Sequence, residues 1–162
     1  MQHEIAFDLE TIANQNVLST LPPAKASVGN LKDPEKIRAK QEEAQIERVK
    51  KAGLDAHHNR IAVFGWCDGS DSGRIMLDDE SDEAESRLLT HAWGLLANYS
   101  RFITFNGNEF DIPNLRLHSL FFRIRPSVRP DTKRYTIGNH IDLRAILTNW
   151  SPMAHGSFDF FC

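Results

Sequence analysis

Apolar runs bounded by turn residues occur at five places along the 162-residue chain and predict five β-strands. The runs cover residues 3–11, 60–67, 74–77, 102–105 and 140–143. Apolar and polar residues alternate in the first run, as on a strand with one buried face. A cluster of Gly, Ser and Asp separates the second run from the third and predicts an antiparallel hairpin. We therefore expect the first three strands to be antiparallel.

A long polar segment near the N-terminus carries the end signals of a helix. Asp33 is suited to the N-cap, Pro34 to the first turn and Gly53 to the end of this helix. Its apolar stripe is narrow, so we expect an exposed helical insertion at about residues 31–54. Residues 12–30 lack a sustained periodicity and are expected to form a long loop.

Two later segments have one apolar face at helical spacing, and a short helical segment follows the last strand. The helix at about 81–98 should bury Ala84, Leu88, Leu89, Ala92, Leu95 and Leu96. The helix that begins at Asp111 should bury Leu115, Leu117, Leu120, Phe121 and Ile124. This helix follows the fourth strand and a Gly turn, so the fifth strand is expected to run parallel to the fourth. The pattern thus predicts an α/β fold with a five-stranded mixed sheet, three strands antiparallel and two parallel, flanked by helices.

Length and composition are those of an ordinary globular protein, so we expect residues 1–162 to form a single domain. No apolar run approaches the roughly 20 residues that span a membrane, which favours a cytoplasmic location without membrane contact. Cys67 and Cys162 are too few and too distant for a disulfide framework or a zinc site. The net charge of −3 gives no general attraction for nucleic acid. Such a partner would need a local basic patch or a cation that bridges acidic residues.

Carboxylates in separate segments are candidates for one site at an edge of the sheet. Asp8 and Glu10 leave the same face of the first strand. Asp111 follows a strand and a Gly turn, and Asp142 lies in the last strand. Carboxylates are the ligands that Mg²⁺ prefers, and paired divalent cations promote phosphodiester hydrolysis. The simpler alternatives are that Asp8 and Glu10 are solvated acids and that Asp111 caps a helix.

Two segments resemble motifs of one nuclease superfamily. Residues 7–11 (Phe-Asp-Leu-Glu-Thr) resemble the first motif of the DnaQ-like (DEDD) 3′-5′ exonucleases. Residues 104–116 (Thr-Phe-Asn-Gly-Asn-Glu-Phe-Asp-Ile-Pro-Asn-Leu-Arg) resemble the second motif. The long second motif, in the right order after the first, is most similar to the branch of predicted exonucleases related to the proofreading domain of family-B DNA polymerases. The resemblance covers roughly residues 4–147 and implies a ribonuclease H-like fold.

The resemblance also implies a site with two Mg²⁺ or Mn²⁺ ions that hydrolyses a strand from its 3′ end. It implies that Asp8, Glu10 and Asp111 are metal ligands and that Glu10 lies near the attacking water. Contacts with nucleic acid are implied for Thr11, Asn106, Gly107, Phe110 and Arg116. Alternatively, Asn106 is an ordinary turn residue and Phe110 a core aromatic. The basic residues after the second motif could contact phosphates or form a solvated loop; they are Arg116, Arg123, Arg125, Arg129, Lys133 and Arg134.

Members of this superfamily carry a third motif, a Tyr or His shortly before a final Asp, well beyond the His-x-Asp-Leu segment at 140–143. We therefore expect the C-terminal part of the fold to be truncated in this chain and the second cation to be weakly held. His155 and Asp159 imitate the spacing of the third motif. In the alternative interpretation, the tail begins an incomplete helix whose core residues Phe158, Phe160 and Phe161 need cover, which favours a homodimer. Asp142 or His140 could partly replace the missing acid.

The leading prediction is a Mg²⁺- or Mn²⁺-dependent 3′-5′ exonuclease that acts on single-stranded DNA, with Asp8, Glu10, Asp111 and Asp142 as its acids. One alternative is a catalytically impaired nucleic-acid-binding module of the same fold. The other is an exoribonuclease that uses the same site on RNA.

Overall fold

The computed structural model describes residues 3–27, 29 and 31–151, and these residues contain the five predicted strands. The strands are β1 (Glu4–Ala13), β2 (Asn59–Cys67), β3 (Ser72–Met76), β4 (Arg101–Thr104) and β5 (His140–Asp142). The helices are α1 (Gln15–Thr20), α2 (Pro34–Gly53), α3 (Asp82–Leu96), α4 (Asp111–Phe121) and α5 (Leu143–Leu147). None of these helices is long and apolar enough to cross a membrane.

The strands form one mixed sheet in the order β3-β2-β1-β4-β5. β2 and β3 are antiparallel, from Val63 opposite Met76 to Cys67 opposite Ser72, so the predicted hairpin is confirmed. β4 runs parallel to both of its neighbours, β1 and β5. The carboxyl ends of these three strands therefore lie at the same edge of the sheet, where ligands bind in open α/β sheets.

The chain divides into two compact units, residues 11–60 and the remainder, which we call the insert unit and the main unit. The insert unit contains α1 and α2. The predicted helix is confirmed there, because Asp33 is the N-cap of α2, Pro34 begins it and Gly53 ends it. That residues 31–54 are an insertion into a single domain stays a prediction.

Residues 12–30 contain more regular structure than the predicted loop. β1 continues to Ala13, and α1 begins directly after Asn14. The Asn14 side chain accepts hydrogen bonds from the backbone N–H groups of Asn16 and Val17, which supplies the N-cap that a short helix needs. Leu18 is the buried residue of this helix. A six-residue helix with one buried side chain has no repeating apolar pattern, so hydrophobic periodicity does not predict it.

The hydrophobic core of the main unit lies between the sheet and helices α3 and α4. β1 and β2 contribute Ile5, Phe7, Leu9, Ile61 and Phe64, and α3 contributes Leu88, Leu89, Ala92, Trp93 and Leu96. Phe102, Ile112 and Leu115 complete this core. The predicted inner face of α3 is thus confirmed.

The predicted inner face of α4 is wrong at its C-terminal end. Leu115 is fully buried, as expected, but Leu120 and Phe121 are 75% and 71% exposed. Polar residues fill the inner face instead, because His118 and Ser119 find buried partners on α3. The His118 Nδ1 atom lies 2.7 Å from Glu85 Oε1, and Trp93 Nε1 donates to Ser119 Oγ at 2.7 Å. Paired polar groups can occupy a core position that the apolar pattern assigns to leucine.

Candidate active site

β1 presents Asp8 and Glu10 on the face opposite the core. Phe7 and Leu9 are buried, whereas Asp8 and Glu10 are exposed, which confirms the predicted alternation. The ring of Phe7 stacks on Phe64 with centroids 5.3 Å apart. This packing fixes the rotation of β1 and therefore the direction in which its acids point.

Asp111 lies in the first turn of α4 and is joined to β1 by a hydrogen bond. Its carboxylate oxygen Oδ1 accepts the backbone N–H of Leu9 at 2.9 Å. The residue is only 1% exposed. A bond to a strand 102 residues away in sequence is not a local helix cap. The helix-capping interpretation alone therefore does not explain Asp111, which the fold holds beside the Asp8–Glu10 segment.

Burial and neighbouring charge raise the pKa of two of the three acids. Burial, and then the charge of Asp8, raise the pKa of Asp111 to about 7. Burial of part of the Asp8 carboxylate, and then the charge of Glu10, raise the pKa of Asp8. A bound cation would offset both the burial and the repulsion, and would stabilise the ionised carboxylates.

The turn between β4 and α4 has a backbone that permits few alternatives. Asn106 has a φ of 68°, in the left-handed region that Asn tolerates better than most residues. At Gly107, a Cβ atom would overlap the Oγ1 atom of Thr104, so the position requires glycine. This turn delivers Asp111 to β1, since Asp111 follows it directly.

Asp142, the fourth predicted acid, accepts hydrogen bonds from backbone N–H groups. Its Oδ1 atom accepts the N–H of Asn106 at 2.9 Å and of Ala145 at 3.2 Å. Its Oδ2 atom accepts the N–H of Asn108 at 2.9 Å. The residue is 5% exposed. Asp142 therefore ties the end of β5 to the β4–α4 turn and caps α5, and its predicted part in catalysis stays a prediction.

His140 is buried and uses both ring nitrogens within the fold. Nδ1 donates to the Asp131 carbonyl at 3.2 Å, and Nε2 lies 2.9 Å from Thr104 Oγ1, an arrangement that suits a neutral ring accepting from the hydroxyl. Burial lowers the pKa of His140. The buried, neutral ring of His140 therefore connects β4 to the segment before β5 through these two contacts. His155 and Asp159, which imitate the third motif, lie outside the described residues, as do the apolar residues of the tail.

The residues predicted to contact nucleic acid make different contacts within the protein. The Thr11 hydroxyl, in the insert unit, donates to the Gly53 carbonyl at 2.5 Å. The side-chain oxygen of Asn106 accepts from Arg144 Nη1 at 2.9 Å, and Phe110 packs partly buried against the core. Arg116 Nη2 donates to the Pro130 carbonyl at 2.8 Å and so anchors the loop after α4. Their contacts with nucleic acid stay predictions.

Arg144 is a site residue that the sequence did not single out. It lies on α5, directly after the neighbouring strand β5, and donates to the second-motif residue Asn106. The signal that could have found it is the helix start after Asp142, because an Asp before Leu-Arg-Ala-Ile-Leu has the residue type of an N-cap.

The donor set suits a hard divalent cation. Asp8, Glu10 and Asp111 offer oxygen ligands alone, the type that Mg²⁺ and Mn²⁺ take. Within the part of the chain that the structure describes, no three His, Cys, Asp or Glu side chains lie close enough together to hold a metal ion on their own. Magnesium in enzymes that act on phosphates is often held by one or two carboxylates, with water and substrate oxygens completing its shell. The acids present fit that pattern.

The fold and these acids agree with the family to which the chain belongs. The sequence model of the RNase_H superfamily matches residues 49–156, so the chain is a member of that superfamily. This match includes Asp111 and Asp142 and begins after Asp8 and Glu10.

The chain is also similar to DNA polymerases. It is 27% identical to DNA polymerase 1 of Sulfurisphaera ohwakuensis over 126 residues, which are 75% of this chain and 14% of the polymerase. It is 28% identical to DNA polymerase 1 of Sulfolobus acidocaldarius over 127 residues, again 75% of this chain and 14% of the polymerase. A solved structure, the family B DNA polymerase of Pyrobaculum calidifontis, superposes with a TM-score of 0.55 at 13% identity, over 93% of this chain and 16% of that one. These findings confirm the family resemblance predicted from the two motifs, and they confirm the predicted ribonuclease H-like fold.

Proposed function

We propose that this chain is a metal-dependent 3′-5′ exonuclease that removes nucleotides from the 3′ end of single-stranded DNA. The observation that carries the proposal is the position of Asp111, held against β1 by the Leu9 N–H beside Asp8. The two polymerases that this chain resembles in sequence act on DNA by their names, which favours DNA as the substrate.

In this proposal, Asp8 and Asp111 hold a Mg²⁺ or Mn²⁺ ion and Glu10 lies near the attacking water. The bound ion would activate water and stabilise the negative charge that develops on the phosphate oxygens. Burial and the charge of Asp8 raise the pKa of Asp111, and a bound cation would offset both and favour the ionised carboxylate. The buried Leu9–Asp111 bond keeps the two segments in register, so the acids are positioned before substrate binds. A second, weaker ion would use Glu10.

The test is an exonuclease assay with a 5′-labelled DNA strand and Mn²⁺. Shortening from the 3′ end gives a ladder of labelled products, whereas attack from the 5′ end releases the label at once. Asp8→Asn should abolish the ladder, because it removes one charge without changing side-chain volume. Glu4→Gln is the matched control, since Glu4 is an exposed acid on the same face of β1 that pairs with Arg101.

Two other outcomes would replace the proposal. A ladder from RNA but not from DNA of the same sequence would assign an exoribonuclease. Binding of the strand without any product, at every protein concentration and with either metal, would assign a non-catalytic nucleic-acid-binding module. The lack of three converging ligands among the described residues is the observation that favours this second candidate.

A further inference from the structure

A pocket of about 400 Å³, distinct from the Asp8–Asp111 pair, opens at the carboxyl ends of β4 and β5. We call it the β5 pocket. Small-molecule sites usually have volumes of about 300–1,000 Å³, and in α/β sheets they lie at this edge. The side chains used in the argument below are Asn108, Glu109, Arg134, Arg144 and Trp150, all of which line the pocket.

The pocket combines an aromatic wall with two arginines. Trp150 is paired with Tyr135, with ring centroids 5.8 Å apart and planes tilted by 51°. Arg134 is exposed and lies 3.5 Å from Glu109, a loose surface pair that a stronger anion could displace. Arg144 approaches from α5, oriented by its bond to Asn106. Stacking surfaces beside cations are the combination that holds single-stranded nucleotides.

Asn108 adds a polar group that a ligand would satisfy. Its side-chain oxygen is buried, and no donor among the described residues reaches it. A buried acceptor without a partner is costly, and it is rare in folded proteins unless water or a ligand completes it. The N–H or O–H group of a bound base or sugar would provide the missing donor.

We propose that the β5 pocket binds one nucleotide unit of a nucleic-acid strand or of a released product, with its base against Trp150 and its phosphate near Arg134 and Arg144. The choice of ligand rests on the proposed function. Asn108 would accept a hydrogen bond from the base or sugar. Glu109 opposes the phosphate, so its pairing with Arg134 must open when the ligand enters.

Equilibrium dialysis in EDTA tests the proposal, in the Asp8→Asn background so that the strand stays intact. The probes are dAMP, deoxyadenosine, inorganic phosphate and a three-nucleotide strand of deoxyadenosine. We expect Trp150→Ala to weaken binding of dAMP or of the strand by at least about fivefold, because stacking on an aromatic ring contributes substantially to binding. Trp150→Phe should retain most of the affinity. Arg134→Gln should reduce the salt dependence, whereas Arg87→Gln, on α3, should not.

Each outcome decides the matter. Binding of dAMP that needs Trp150 assigns the pocket to a released nucleotide, and binding of the strand alone assigns it to a nucleotide within a strand. Three results would overturn the proposal: equal binding with and without Trp150→Ala in the Asp8→Asn background, displacement of the bound strand by inorganic phosphate as readily as by dAMP, or no binding of any probe. If the wild-type chain hydrolyses DNA but the pocket variants bind the probes normally, the pocket proposal alone is refuted. Pocket binding without hydrolysis refutes the exonuclease alone.

Discussion

Replacing Asp111 with Asn would test whether burial and the charge of Asp8 destabilise the ionised Asp111 carboxylate in the metal-free protein. The Asn side chain keeps an oxygen that can accept the Leu9 N–H, but it cannot ionise. Asp111→Ala is the contrasting variant, because it removes the charge and also leaves the buried Leu9 N–H without its partner. The comparison separates the cost of the buried charge from the contribution of the hydrogen bond.

The expected size of the effect follows from the pKa of Asp111, which burial and Asp8 raise from 3.8 to about 7. The folded protein then binds this proton more tightly than the unfolded chain does. The free energy of unfolding is therefore unaffected by this group below about pH 4 and falls as the pH rises to about 7. One pKa unit corresponds to about 1.4 kcal/mol, so the full penalty is about 4 kcal/mol, and screening at the exposed Asp8 reduces it to about 2–4 kcal/mol.

The assay is thermal unfolding in EDTA at pH 8 and at pH 4.5. Asp111→Asn should melt about 5–15 °C above wild type at pH 8, and its advantage should shrink to about 1 kcal/mol at pH 4.5. Asp111→Ala should gain less, because an unsatisfied buried N–H costs about 1–3 kcal/mol. Adding Mn²⁺ at pH 8 should stabilise wild type more than Asp111→Asn.

Asp78→Asn is the control for that experiment, since Asp78 is an exposed acid paired with Arg87 on the surface. Its melting temperature should differ little from wild type at either pH. If Asp111→Asn is no more stable than wild type at pH 8, burial and the charge of Asp8 do not destabilise the Asp111 carboxylate. The argument for a cation between Asp8 and Asp111 would then fail.

Substitutions at two positions, Asp142 and Gly107, test the turn that carries Asp111. Asp142→Ala removes the acceptor of three backbone N–H groups and should lower the free energy of unfolding, measured in urea, by about 2–4 kcal/mol. Asp142→Asn keeps one acceptor oxygen and should cost less. Equal losses in the two variants would contradict the role given to both oxygens. Gly107→Ala places a Cβ against Thr104 and should cost about 1–3 kcal/mol, whereas Gly94→Ala, in open space on α3, should stabilise by about 0.5–1 kcal/mol. An unchanged urea midpoint for Gly107→Ala would show that the turn can relax.

The strands could be predicted because each is a short apolar run with its own turn signals. The alternation of Phe7 and Leu9 with Asp8 and Glu10 indicates the buried face directly, since side chains alternate across a strand. α2 was equally accessible, because Asp33, Pro34 and Gly53 mark its ends by residue type.

The contacts that assemble the site could not be predicted, because they join residues distant in sequence. Nothing in Leu9 indicates that its backbone N–H donates to Asp111. Asp142 was predicted as an acid of the site, yet its oxygens accept backbone N–H groups that carry no sequence information. The exposed Leu120 and Phe121 show the same limit, because periodicity does not reveal that His118 and Ser119 have buried partners.

The parallel pairing of β1 with β4 has a consequence for how the protein folds. The pairing joins Glu4 to Arg101, which are 97 residues apart. Forming this pair therefore carries a loop-closure entropy cost, whereas a local helix such as α3 forms without closing a long loop. Long-range strand pairing slows folding. We therefore expect α3 and the β2–β3 hairpin to form before β1 joins β4. Asp8 and Asp111 would then meet late on the folding pathway, and their repulsion would slow the closing step more at high pH than at low pH.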